Sequence, residues 1–112
     1  MIRVKASVLP KSLVILAAVA NAAHAREIDV TVTSGNDSRH MDGSRHYQDR
    51  ALDVRSKAPF TTLADKRQFL AEVLARLGPD YQGLLEAAGT PNEHFHIEHD
   101  PKPPLDTGTR LA

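Results

Sequence analysis

The sequence contains no cysteine and no tryptophan, and only 4% of its residues are aromatic. Without cysteine, the chain can form neither a disulfide framework nor a zinc site built on thiolates. The few aromatic rings offer little surface for stacking against the bases of single-stranded nucleic acid. Any metal ion must therefore be held by histidine, aspartate and glutamate.

An excess of charge of either sign is also absent. Lys and Arg number 14, as do Asp and Glu, so no bulk charge draws the chain to nucleic acid or to an anionic membrane. The length of 112 residues suits one domain with a modest core, and we expect a monomer. We predict a domain over residues 1–100 and a flexible tail over residues 101–112, which is proline-rich and lacks apolar periodicity.

The longest apolar run, SLVILAAVA, is too short to span a membrane. With the basic start MIRVK and the small residues of AHA (residues 23–25), it is typical of a secretory signal peptide. Pro10 and the abundant Ala and Leu also suit a buried helix over residues 11–25. We favour the helix because so small a domain needs its apolar face for a core.

The rest of the pattern predicts an α+β domain with a small, mostly antiparallel sheet and two main helices. Residues 28–33 alternate apolar and polar as in a strand, and residues 34–46 are rich in Ser, Gly, Asn and Asp as in a loop. Thr62 is expected to cap the second helix, with Asp65 completing a capping box, and Gly78-Pro79 to end it. Further strands are predicted within residues 46–56, 81–87 and 94–99.

Two stretches carry side chains that suit metal chemistry, SRHYQDRALDV (residues 44–54) and NEHFHIEHD (residues 92–100). Catalytic zinc usually takes three protein ligands and leaves a position for water. His46 and Asp53, seven residues apart, are candidates for two ligands, and His96 for the third. Glu93, three residues before His96, is a candidate for the general base that takes a proton from activated water.

The second histidine of the NEHFHIEHD stretch leaves an alternative open. His94 and His96 lie two residues apart, so in a strand they share a face and compete for one ligand position. The Glu-x-x-His spacing favours His96, and His94 would then orient the site or the substrate. We interpret Glu86 and Glu98 as solvated or salt-bridged surface residues.

These residues resemble the zinc D-alanyl-D-alanine carboxypeptidase family, which includes L-alanyl-D-glutamate endopeptidases and shares its fold with the Hedgehog signalling domain. The family pattern is Ser-x-His, an Asp seven positions after the His, and then Glu-x-x-His. Residues of this chain match it position by position: Ser44, His46, Asp53, Glu93 and His96. The likeness spans residues 11–102 and is greatest to the small phage-type members.

The resemblance implies a zinc peptidase that cuts peptide bonds next to D-amino acids in peptidoglycan, with zinc-bound water as the nucleophile. His46, Asp53 and His96 would bind Zn²⁺, and Glu93 would be the catalytic base. Many relatives also carry an Arg in the Ser-Gly loop that grips the substrate. Here that loop reads SGNDSRH, and the substrate-binding candidates of the chain are Arg39, His40, Ser44 and His94.

Two further expectations follow from the resemblance. A phage-type protein of this kind would be cytoplasmic until it is released, whereas cleavage after residue 25 would make it secreted or periplasmic. The alternative to an enzyme is a zinc-stabilised module that binds cell-wall peptide or a protein partner without cleaving it. Glu93 favours the enzyme, because a binding module has no need for a carboxylate at that spacing.

Overall fold

The computed structural model describes residues 2–5, 12–34 and 50–101. In chain order the elements are β1 (Ile2–Val4), α1 (Leu13–Arg26), β2 (Val30–Ser34), β3 (Ala51–Arg55), α2 (Leu63–Leu77), β4 (Tyr81–Glu86) and β5 (His94–His99). The predicted α+β class is confirmed, and the predicted helices and strands are found within a few residues of their expected bounds. The predicted flexible tail lies outside the described residues, apart from Pro101.

The five strands form one mixed sheet in the order β1-β2-β3-β5-β4. The pairings β2–β3, β3–β5 and β4–β5 are antiparallel, as predicted for most of the sheet. β1 pairs with β2 in parallel, which places Ile2 opposite Val30 and Val4 opposite Val32. The sequence did not predict β1, because three residues are too few to show a periodic pattern.

α2 begins and ends where its local sequence predicts. The hydroxyl of Thr62 accepts a hydrogen bond from the backbone N–H of Asp65 at 3.0 Å, which satisfies one of the unpaired donors of the first turn. At the other end, Gly78 adopts a φ of 93° and donates its N–H to the carbonyl of Leu74. Such a positive φ favours glycine, so the helix stops there.

α1 supplies a large part of the core, as expected for the helix interpretation of residues 11–25. Ile15, Val19 and Ala22 are almost fully buried. They belong to one hydrophobic cluster that also includes residues of β2, β3, α2 and β5: Val30, Val32, Leu52, Val54, Phe69, Val73, Phe95 and Ile97. Neither helix in the described ranges is long and apolar enough to cross a membrane.

An ion-pair cluster fixes the end of α1 against α2. Arg26 places its Nε 2.6 Å from Glu72 and one terminal nitrogen 2.8 Å from Asp65, and its guanidinium lies 5.6 Å from the ring centre of Phe69. Both helices share one hydrophobic cluster with β2, β3 and β5, so they cover the same face of the sheet. Several ionisable side chains of β3, β4 and β5 point to the opposite face.

Candidate metal centre

Strand alternation gathers ionisable side chains on the face opposite the helices. On β3, Leu52 and Val54 are fully buried in the core, so Asp53 points the other way. On β5, Phe95 and Ile97 are buried in the same way, which leaves His94, His96 and Glu98 facing outward. The strand register then sets Asp53 opposite His96, and both Arg55 and Glu86 opposite His94.

Asp53 and His96 form the most buried pair of this cluster. His96 Nδ1 lies 2.9 Å from Asp53 Oδ1, and His96 Nε2 lies 2.7 Å from Glu98 Oε1. Burial by itself lowers the pKa of His96, but the hydrogen bonds to Asp53 and Glu98, with the charges of Asp53 and Glu86, raise it to about 9. In the absence of a metal ion, His96 is therefore protonated, and its positive charge offsets the negative charge of the surrounding carboxylates.

His94 is oriented as metal-binding histidines usually are. Its Nδ1 lies 2.7 Å from the carbonyl oxygen of Asn92, and since a carbonyl only accepts, Nδ1 carries the proton. Its Nε2 points into the cluster, 3.0 Å from Glu86 Oε1 and 3.9 Å from Asp53 Oδ2. A ring nitrogen that donates to a backbone carbonyl fixes the tautomer and aims the other nitrogen at the metal.

Asp53, Glu86 and His94 form a possible metal-binding triad, because one ligand atom from each lies within 4.8 Å of the other two. His96 Nδ1 is 3.7 Å from Glu86 Oε1 and so lies beside the triad. Imidazole nitrogen and carboxylate oxygen are both common zinc ligands. Without a metal ion, the positive charge of the protonated His96 offsets the negative charge of the nearby carboxylates. A divalent cation would supply that positive charge instead, so the donor set fits such an ion.

Of the predicted ligands and base, the described structure brings Asp53 and His96 together and places Glu93 in the loop, immediately before β5. His46, Ser44, Arg39 and His40 lie outside the described residues, so their roles stay predictions. Glu86 was interpreted as solvated or salt-bridged, and it is a partly exposed residue paired with His94. The sequence did not predict that it belongs to the triad. The contact of Glu86 with His94 depends on the β4–β5 register, which the loop of residues 87–93 sets. The sequence does not indicate that register.

Glu93 is held by three donors from different parts of the fold. Its Oε2 lies 2.5 Å from Lys66 Nζ and 2.7 Å from Ser56 Oγ, and its Oε1 accepts the backbone N–H of Gly89 at 3.1 Å. The hydrogen bond from Lys66 contributes most, followed by those from Ser56 and Gly89, and together they lower the pKa of Glu93 to about 2. The Glu93 carboxylate thus links the β4–β5 loop to α2 through its ion pair with Lys66.

A pocket of about 250 Å³ opens beside the triad. Its lining contains Asp53, Glu93 and His94 from the candidate centre, together with the cationic side chains of Arg55 and Lys57. The remaining lining residues are Thr33, Pro91 and Asn92. A ligand in this pocket would therefore contact the metal-type donors and two cations at once.

No protein-family profile, curated protein or solved structure matches the chain.

Zinc should stabilise the fold, because the donors come from three strands and the unfolded chain has no such site. At a zinc concentration 100 times the dissociation constant, the stabilisation is about 2.7 kcal/mol, which should raise the melting temperature by roughly 10–20 °C. The measurement is a thermal melt monitored by circular dichroism with zinc, with chelator, and with zinc restored. Identical melting curves in all three conditions would show that the cluster binds no zinc.

Proposed function

We propose that the protein is a zinc-dependent peptidase that hydrolyses peptide bonds next to D-amino acids in peptidoglycan stem peptides. The observation that carries the proposal is the contact between Asp53 and His96, whose side chains meet at 2.9 Å from directly opposite positions on neighbouring strands. The resemblance to D-alanyl-D-alanine carboxypeptidases requires these two residues to converge. They are 43 residues apart along the chain, and the antiparallel pairing of β3 with β5 brings them together.

The proposal includes the finer fold and the ligand set. A Hedgehog/DD-peptidase-like arrangement is compatible with a mixed sheet whose two helices cover one face. Zinc would be held by Asp53 and His96, with His46 as the third ligand, or by Asp53 with Glu86 and His94. When bound, zinc would supply a Lewis acid that activates water near neutral pH.

The side chains of this chain would hold and orient the other participants. Glu98 contacts His96 Nε2 and so fixes that ring, while the carbonyl of Asn92 fixes His94. Glu93 would accept the proton from water once its carboxylate is released from Lys66, which otherwise makes it a weak base. Arg39, His40 and Ser44 would contact the substrate.

The alternative is a zinc-stabilised module that binds cell-wall peptide or a protein partner without cleaving it. This alternative is favoured by the three hydrogen bonds that the Glu93 carboxylate accepts from Lys66, Ser56 and Gly89. A carboxylate with a pKa of about 2 has little affinity for a proton at neutral pH, so its role would be to hold the loop.

Digestion of purified muropeptides by the zinc-loaded protein should release products cut next to a D-amino acid. Mass spectrometry of the products identifies the cut bond and so distinguishes a carboxypeptidase, which releases a terminal residue, from an endopeptidase, which divides the peptide. The matched control is the same protein treated with chelator, which should release nothing. Intact muropeptides after incubation with the zinc-loaded protein would reject the peptidase and favour the binding module.

A further inference from the structure

Two cations line the pocket beside the candidate metal centre. Arg55 lies two residues after Asp53 on β3, on the same face of the sheet, and its register position is opposite His94. Lys57 follows two residues later. Both side chains are exposed, and within the ranges 2–5, 12–34 and 50–101 neither makes a hydrogen bond or an ion pair.

The negative charges of the pocket already have partners elsewhere. Asp53 contacts His96, and Glu93 contacts Lys66, and neither of these partners lines the pocket. Arg55 and Lys57 have no such side-chain partner among the described residues, so their guanidinium and ammonium groups are open to a ligand in the pocket. Two cations in this position favour a ligand that carries a carboxylate or another anionic group.

The pocket is also small. Its volume of about 250 Å³ lies just below the range of about 300–1,000 Å³ that is usual for drug-sized ligands. Arg55 can pair with both oxygens of a carboxylate in a fork, and Lys57 can add a point charge.

We propose that this pocket is a carboxylate-binding subsite, in which Arg55 and Lys57 pair with a carboxylate of the peptide held at the metal centre. The carboxylate is either the C-terminal group of the peptide or an acidic side chain next to the bond. This inference rests on the proposed function, because it assumes a peptide ligand. It identifies a carboxylate as the part of the substrate that Arg55 and Lys57 bind.

The test compares the binding of three labelled peptides to the full-length, zinc-loaded protein. The first ends in D-alanyl-D-alanine with a free carboxylate and carries one D-glutamate, the second is its C-terminal amide, and the third replaces D-glutamate by D-glutamine. Fluorescence anisotropy gives the dissociation constants, and mass spectrometry of the same samples reports hydrolysis. Losing the recognised carboxylate should weaken binding about tenfold or more, since a charge-assisted pair is lost. Whether the amide or the glutamine peptide binds weakly identifies the carboxylate.

The variants assign the effect to the two cations. The double variant Arg55→Gln/Lys57→Gln should bind all three peptides with affinities within about twofold of one another. The matched control is Arg3→Gln/Arg67→Gln, the same loss of two positive charges at exposed positions outside the pocket, and it should discriminate as the wild type does.

Three outcomes would overturn the inference: equal binding of all three peptides by the wild type, no binding of any, or undiminished discrimination by the double variant. If the wild type discriminates and the double variant does not, while no peptide is cut, the subsite stands and the peptidase fails.

Discussion

Replacement of Asp53 by Asn should reduce the affinity for zinc by at least about 100-fold. Loss of an outer partner of a metal ligand alone typically costs about 10–100-fold in affinity, and Asp53 is a candidate ligand itself. It is also the residue common to both ligand sets, because it contacts His96 and belongs to the triad with Glu86 and His94. Competition with a chromophoric chelator measures the dissociation constant. Asp80→Asn is the matched control, since Asp80 is exposed and outside the cluster.

The histidines then decide between the two ligand sets. If the metal is held by the set that the sequence predicts, His46→Gln and His96→Gln should weaken zinc binding much more than His94→Gln. If it is held by the triad, His94→Gln and Glu86→Gln should have the larger effects. Wild-type zinc affinity in Asp53→Asn would contradict both sets and the candidate centre with them.

Replacement of Glu93 by Gln should slow peptide hydrolysis by about 10²–10⁴-fold, the usual contribution of a general base. The loss should appear in kcat, because Gln has nearly the same size but cannot accept the proton. Zinc content should stay unchanged, since Glu93 is not a proposed ligand. The melting temperature should fall at neutral pH, because the variant loses the ion pair between Glu93 and Lys66. The sequence did not predict this ion pair.

The stability effect has a defined pH dependence. The pKa of Glu93 is about 2 in the folded protein, against an ordinary value of 4.5. The ionised carboxylate therefore contributes stability that is fully present above pH 4.5 and is lost as the pH falls through 2. The difference in melting temperature between wild type and Glu93→Gln should be largest near neutral pH and should disappear near pH 2.

Lys66→Gln separates the two roles of Glu93. This variant removes the same ion pair but keeps the carboxylate, whose pKa should rise towards its ordinary value when the cation is gone. It should be destabilised about as much as Glu93→Gln while it still cuts peptide. Equal loss of hydrolysis in both variants would show that Glu93 acts by holding the loop and not by accepting a proton.

Local sequence signals determined several elements of this fold. The Thr62 cap and the glycine at position 78 predicted the bounds of α2, because both act through bonds within a few residues. The alternation in residues 94–99 placed His94, His96 and Glu98 on one face of β5, since the side-chain period of a strand is two. Apolar content correctly indicated a helix of the core in the segment where α1 (Leu13–Arg26) is found.

The convergence of Asp53 with His96 was predicted by a motif and not by any local property. The residue types and their spacing suggested a shared metal, and the β3–β5 register set the two residues opposite each other. The same register argument could not have been made for Glu86, because its pairing with His94 depends on the conformation of the loop between β4 and β5. That loop contains Ala87 at a φ of 52°, which its residue type does not predict.

Only the tertiary structure decided the contacts between segments distant in sequence. β1 is a strand because Ile2 and Val4 lie beside Val30 and Val32, and no pattern within three residues reveals a parallel neighbour. Glu93 is an ion-pair partner because α2 carries Lys66 past the β4–β5 loop, 27 residues away along the chain. Periodicity, caps and composition report interactions within a few residues. Strand order, helix placement and the pKa of a carboxylate depend on which surfaces the whole chain buries together.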